Sequence, residues 1–113
     1  MHELSIIHNV FGIIEETAAK EKLEKVTQVD MIIGKMHQIV PEMLDFAFEA
    51  VSMGTKAEGA QLVTDWIDIV MNCDDCNQTF IVQDQTFICP VCGSFRLHQL
   101  KGKELYIKSI TGE

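Results

Sequence analysis

Two cysteine pairs constrain this chain more than anything else in it: "CDDC" at 73–76 and "CPVCGS" at 89–94. They hold all four cysteines of the 113 residues, with twelve residues between the pairs. Each C-x2-C can present two thiolates to one ion, and two pairs complete a tetrahedron. Zinc suits such a site because it has no geometric preference of its own and takes sulfur well. A rubredoxin-like iron site and a dithiol redox pair compete with that reading. A redox C-x-x-C normally stands alone near a βαβ unit, so the doubled motif favours a structural metal on Cys73, Cys76, Cys89 and Cys92. Pro90 and Gly93 suit a tight knuckle, and Gly93 tolerates a positive φ. The segment is too short for a hydrophobic core. Metal is therefore expected to supply its folding free energy, about 10 kcal/mol or more.

The residues around the cysteines read as an α+β domain. Positions 4–22 predict a helix, with Ile7, Val10, Phe11, Ile14 and Ala18 at helical spacing and Ile6 and Ile13 widening the stripe. "KVTQVDMII" at 25–33 predicts a strand that ends at Gly34. "PEMLDFAFEAVSMG" at 41–54 predicts a second helix. Pro41 and Glu42 fit its first turn, Leu44, Ala47, Phe48 and Val51 form its apolar stripe, and Gly54 ends it. Met43 and Met53 are expected to pack in the core or at its edge. Positions 61–71 read as one strand, and "ELYIKSI" at 104–110 as a closing strand with Leu105 and Ile107 on one face. The expected architecture is a small sheet packed with two helices, plus a four-cysteine zinc-ribbon-like module inserted between two strands. Its domains are 1–71, completed by a closing strand at 99–113, and a metal module at 72–98.

Charge narrows the function. The formal net charge is −8 and the pI about 4.8. Phosphate backbones repel such a chain, so nucleic acid is not an expected partner. Between Cys73 and His98 a single Arg96 faces Asp74, Asp75 and Asp84, the wrong balance for DNA or RNA. No apolar run approaches the roughly 20 residues of a membrane span, and residues 1–20 do not resemble a secretory signal, since they lack a basic start and Glu15 and Glu16 interrupt the apolar run. The expected compartment is the cytoplasm, where thiols stay reduced. Four thiolates leave no open coordination position, which argues against a zinc enzyme. A zinc-ribbon adaptor that binds proteins without moving metal is the main alternative function.

The opening "MHEL" raises a second metal question. With methionine retained before the large His2, the amine has a pKa of about 7.7–8.0 and is partly deprotonated at neutral pH. Amine, the amides of His2 and Glu3, and the His2 imidazole form a compact planar nitrogen set of the kind that suits Ni(II) or Cu(II). Glu3 can add an oxygen. Taken alone, three residues favour the plainer reading of an exposed terminal histidine. A surface position is likewise the default for His8, His37 and His98.

The order of motifs changes that balance. "MHELSI", "IGK" followed by "VPEMLDFAFE", "GTKAEGAQL", the paired cysteines and "GKELYIKSI" occur in sequence along nearly the whole chain. The set resembles the HypA/HybF family of nickel metallochaperones for [NiFe]-hydrogenase maturation. The resemblance implies a non-enzymatic protein that carries nickel on Met1, His2 and Glu3, with structural zinc on the four cysteines. It also implies a hydrogenase-maturation GTPase and the hydrogenase large subunit as partners, with urease maturation in some members. The oligomeric state stays open, a homodimer included. Many members carry an acidic residue just before the helix-opening proline, where this chain has Val40. Glu42 and His37 are the nearby residues able to stand in for it.

Overall fold

The computed structural model describes residues 3–113. Helix α1 spans Glu3–Lys20, and its buried face is Ile6, Ile7, Val10, Phe11, Ile14 and Ala18, as the periodicity requires. Ile13 is the exception. At 49% exposure it lies outside the stripe it was expected to widen. The helix stops two residues before the expected end because Lys22 turns left-handed, with φ 57°. The Leu23 and Lys22 N–H groups then bond the Ala18 and Ala19 carbonyls, which closes the last turn in a Schellman arrangement.

Strand β1 follows at Val26–Gly34, and a single 3-10 turn at Lys35–His37 leads toward helix α2, Pro41–Ser52. Proline stands in the first turn of α2, and Leu44, Ala47, Phe48 and Ser52 are buried. The Phe11 and Phe48 rings meet with centroids 5.6 Å apart, joining the two helices. Val26, Val29, Met31 and Ile32 of β1 are buried with this core. Met43 and Met53 do not enter it. Both face outward, contrary to the expectation that they pack in the core or at its edge.

The apolar run at 61–71 is two strands, β2 at Gln61–Ile67 and β3 at Val70–Cys73, rather than one. The chain turns at Asp68–Ile69, where the Asp68 carboxylate pairs with the Lys35 ammonium at 2.5 Å. Strands β4 (Thr79–Ile81) and β5 (Leu97–Lys101) lie within the cysteine segment and its exit, and β6 closes the chain at Leu105–Gly112. Two three-stranded sheets result, ordered β2-β1-β6 and β4-β3-β5.

The chain divides into two compact units, Met1–Ile32 with Gln38–Asp65 and Tyr106–Glu113, and Ile33–His37 with Trp66–Leu105. In the second, β3 is the central strand and pairs antiparallel on both sides. Asn72 sits opposite Thr79, and its amide donates to the threonine hydroxyl at 3.0 Å. Within the same unit Gly34 lies against the backbone of Gly102. A Cβ there would stand 2.0 Å from the Gly102 carbonyl oxygen.

Candidate metal centre

Strand β3 delivers Cys73 into the interior of its unit, and the chain then doubles back. The Asn77 N–H donates to the Cys73 carbonyl at 2.8 Å, and the Cys73 N–H to the Gln78 carbonyl at 2.9 Å. Sixteen residues on, the second pair repeats the design. Gly93 N–H donates to the Cys89 carbonyl and Cys89 N–H to the Ser94 carbonyl, each at 2.9 Å. The fourth residue after each leading cysteine is left-handed: Asn77 at φ 58° and Gly93 at φ 75°. Glycine accepts that conformation freely, and asparagine is among the few other residues that do so at modest cost.

The two knuckles face each other. Cys73 Sγ lies 3.5 Å from Cys92 Sγ, and Cys76 Sγ lies 3.5 Å from Cys89 Sγ. The leading sulfur of each knuckle thus pairs with the trailing sulfur of the other. All four sulfurs fall within 4.8 Å of one another. A disulfide needs about 2.05 Å, so none of these contacts is one. A tetrahedron of 2.3 Å metal–sulfur bonds has edges of about 3.8 Å, close to the spacing present. The leading cysteines are buried and the trailing ones exposed. The donor set fits a closed, all-sulfur metal site on the residues the sequence nominated.

Crowding the thiols splits their acidities. Cys89 is pulled down to about 6, chiefly by the Cys92 backbone N–H aimed at its sulfur. Cys76 is pushed up to about 12, first by desolvation and then by the neighbouring thiols. Cys92 is raised as well: the Ser94 N–H draws it down, but the Cys73 thiol and desolvation outweigh that pull.

A polar ring that residue types alone did not reveal braces the first knuckle. Asp74 accepts from His98 Nδ1 at 2.6 Å, and its own N–H donates to the Arg96 carbonyl at 2.8 Å. Asp75 pairs with Arg96 at 3.1 Å and accepts the Ser94 hydroxyl. The two aspartates of "CDDC" therefore bind the chain leaving the second knuckle. Their nearness to Ser94, Arg96 and His98 follows from the fold and has no signature in local spacing. His98, expected as a surface residue, is exposed but engaged.

Among the described residues, the metal-capable group consists of the four cysteines and includes none of the other nominated ligands. Met1 and His2 lie outside the described residues. Glu3 opens α1, and its carboxylate accepts the Val40 N–H at 3.1 Å. Val40 precedes Pro41 and gives α2 no side-chain cap. Val40 brings no carboxylate to this position, and its N–H, which any residue but proline has, bonds Glu3. Glu42 lies in the first turn of α2, and His37 Nε2 sits 2.8 Å from the Lys103 carbonyl oxygen.

Known proteins agree with this frame. The family described as hydrogenase/urease nickel incorporation, metallochaperone, HypA, matches residues 1–112. A hydrogenase maturation factor HypA from Picosynechococcus is 38% identical over 110 residues, covering 97% of each chain. Its counterpart in Caldanaerobacter subterraneus is 40% identical over 114 residues, covering all of both. The solution structure of the Ni metallochaperone HypA from Helicobacter pylori superposes with a TM-score of 0.65 at 23% identity, covering 99% of this chain and 97% of that one. A second HypA solution structure gives 0.70 at 23% identity, covering 100% of this chain and 97% of the other, so the fold is shared. Members of this family are maturation factors rather than enzymes. A match along 112 residues, with four cysteines gathered as a metal site, places the chain in the HypA family of hydrogenase and urease nickel-incorporation metallochaperones.

Proposed function

We propose that the protein carries Ni(II) at its amino terminus and delivers it for maturation of [NiFe]-hydrogenase, with urease as a further recipient. Nickel is the cargo. Its ligands are the Met1 amine, the His2 imidazole and Glu3, and the amides that follow the amine complete a planar nitrogen set. Zinc occupies Cys73, Cys76, Cys89 and Cys92 as a structural ion and ties the two knuckles into one fold. Residues 1–71 with the closing stretch 99–113 form the nickel-binding part, and residues 72–98 the zinc module. A hydrogenase-maturation GTPase and the hydrogenase large subunit are its partners, in the cytoplasm. No helix among the described residues is long and apolar enough to cross a membrane.

The family match from residue 1 to residue 112 carries this reading, because it covers the terminal Met-His-Glu and the cysteine cluster together. Glu3 adds a local argument. Its bond to Val40 fixes one carboxylate oxygen at the start of α1. A ligand held in place loses less freedom when the metal arrives.

Nickel titration of the zinc-loaded chain tests the proposal. His2→Ala should abolish tight binding, since the imidazole anchors the metal while amide protons leave. One residue added before Met1 keeps every side chain but displaces the amine, and should weaken binding and alter the visible spectrum. Binding should also fade below about pH 6.5, as amine and imidazole protonate. An extended chain that binds as tightly, with the same spectrum, would remove the terminal amine from the ligand set.

A further inference from the structure

The geometry points to the outward face of α2 as a docking surface for a basic amphipathic segment of a partner protein. Val40, Met43, Phe46 and Met53 are 48%, 54%, 70% and 67% exposed. In a helix of 3.6 residues per turn, Met43, Phe46 and Ala50 share one strip of the surface, with Val40 and Met53 at its two ends. Glu42, Asp45 and Glu49 border that strip along one side. None of the three has an ion-pair partner among the described residues. The stretch 41–54 contains no lysine, arginine or histidine. Lys56, just beyond it, is turned to the Leu23 carbonyl.

At the far end of the strip a groove of about 600 Å³ continues the same chemistry, with Asp45, Glu49 and Glu58 beside Met53 and Leu62. An exposed phenylalanine between two flexible methionines is an adaptable apolar anchor. The carboxylates beside it select the charge of whatever binds. A helix that lays apolar side chains on Met43 and Phe46, with lysines or arginines along one flank, satisfies both at once. Other occupants meet repulsion. A second copy, in a chain of formal charge −8, brings the same three carboxylates toward its own, and an anionic membrane surface is repelled as well.

The test uses a synthetic amphipathic helix of about five turns built from leucine and lysine, and a control with glutamate in place of lysine. Titrated into the isotope-labelled full chain, the lysine peptide should shift the amides of 40–53 saturably, while the glutamate peptide does not. Phe46→Glu should weaken the peptide at least about tenfold. Phe46 is outside the core, so the fold should survive the change. The double variant Asp45→Lys with Glu49→Lys leaves the apolar strip intact and should lose affinity as well. The assignment is overturned if Phe46→Glu binds the peptide unchanged, or if the shifts spread over other acidic surfaces. It is equally overturned if the α2 shifts arise from concentrating the protein alone, which would give the face to a second copy.

Discussion

At the level of single residues, the decisive feature is how backbone N–H groups set the acidity of a sulfur before any metal arrives. In the folded cluster Cys89 is held down to about 6 and so favours the thiolate at neutral pH, while Cys76, pushed up to about 12, favours the thiol. The sign follows directly. Below about pH 6 Cys89 is a thiol and metal must displace its proton. Above that value it is a thiolate and there is none to displace. Metal entering a cluster that stays folded should therefore release one proton fewer as pH rises through about 6, whereas a cluster that unfolds without metal returns Cys89 to the ordinary thiol range and loses that step. Calorimetry of zinc loading in buffers of different ionisation enthalpy counts these protons. A proton count that is flat across that interval would show that loading starts from an unfolded segment, where the Cys92 N–H no longer holds Cys89 down.

Elements are held by contacts of two kinds, and each has its own sensitive position. Between the helices it is Phe48, buried against Phe11. Phe48→Ala should cost about 3–5 kcal/mol in denaturant unfolding, since the cavity opens between two rigid helices. In the second unit it is Gly34, where a new Cβ meets backbone that cannot swing aside as a side chain can. Gly34→Ala should cost about 2 kcal/mol and perturb the bonds from Gly34 N–H to the Glu104 carbonyl and from Met36 N–H to the Gly102 carbonyl. Amide exchange at these two positions would report it. Both helices and β1 were legible beforehand because one apolar face imposes a period that the residues display openly. The break between β2 and β3 was not. No glycine or proline marks Asp68–Ile69, and the partner of the Asp68 side chain is a lysine 33 residues earlier. The cysteine cluster was legible because thiols at this spacing have few other uses. The ring of Asp74, Asp75, Ser94, Arg96 and His98 was not, because its partners meet only after the knuckles close.

For the molecule as a whole, the two units differ in what holds them. The first has a conventional interior of Ile7, Phe11, Ile14, Val29, Leu44 and Phe48. The second has a three-stranded sheet of four, three and five residues, and much of its burial is at Cys73 and Cys89 themselves. Strands that short do not sustain a fold on hydrophobic contacts alone, so the sulfur cluster must supply the missing cross-links. Removing the metal, or replacing Cys73 or Cys92 by alanine, should unfold β3–β5 while the far-UV helical signal of α1 and α2 persists. Amide resonances provide the finer reading. Those of 70–101 should collapse to random-coil dispersion, and those of the helices should keep their native positions. A metal-free chain whose β3–β5 amides stay dispersed would mean that Met71, Ile69 and their neighbours suffice as a core, and that the metal merely occupies a site already built.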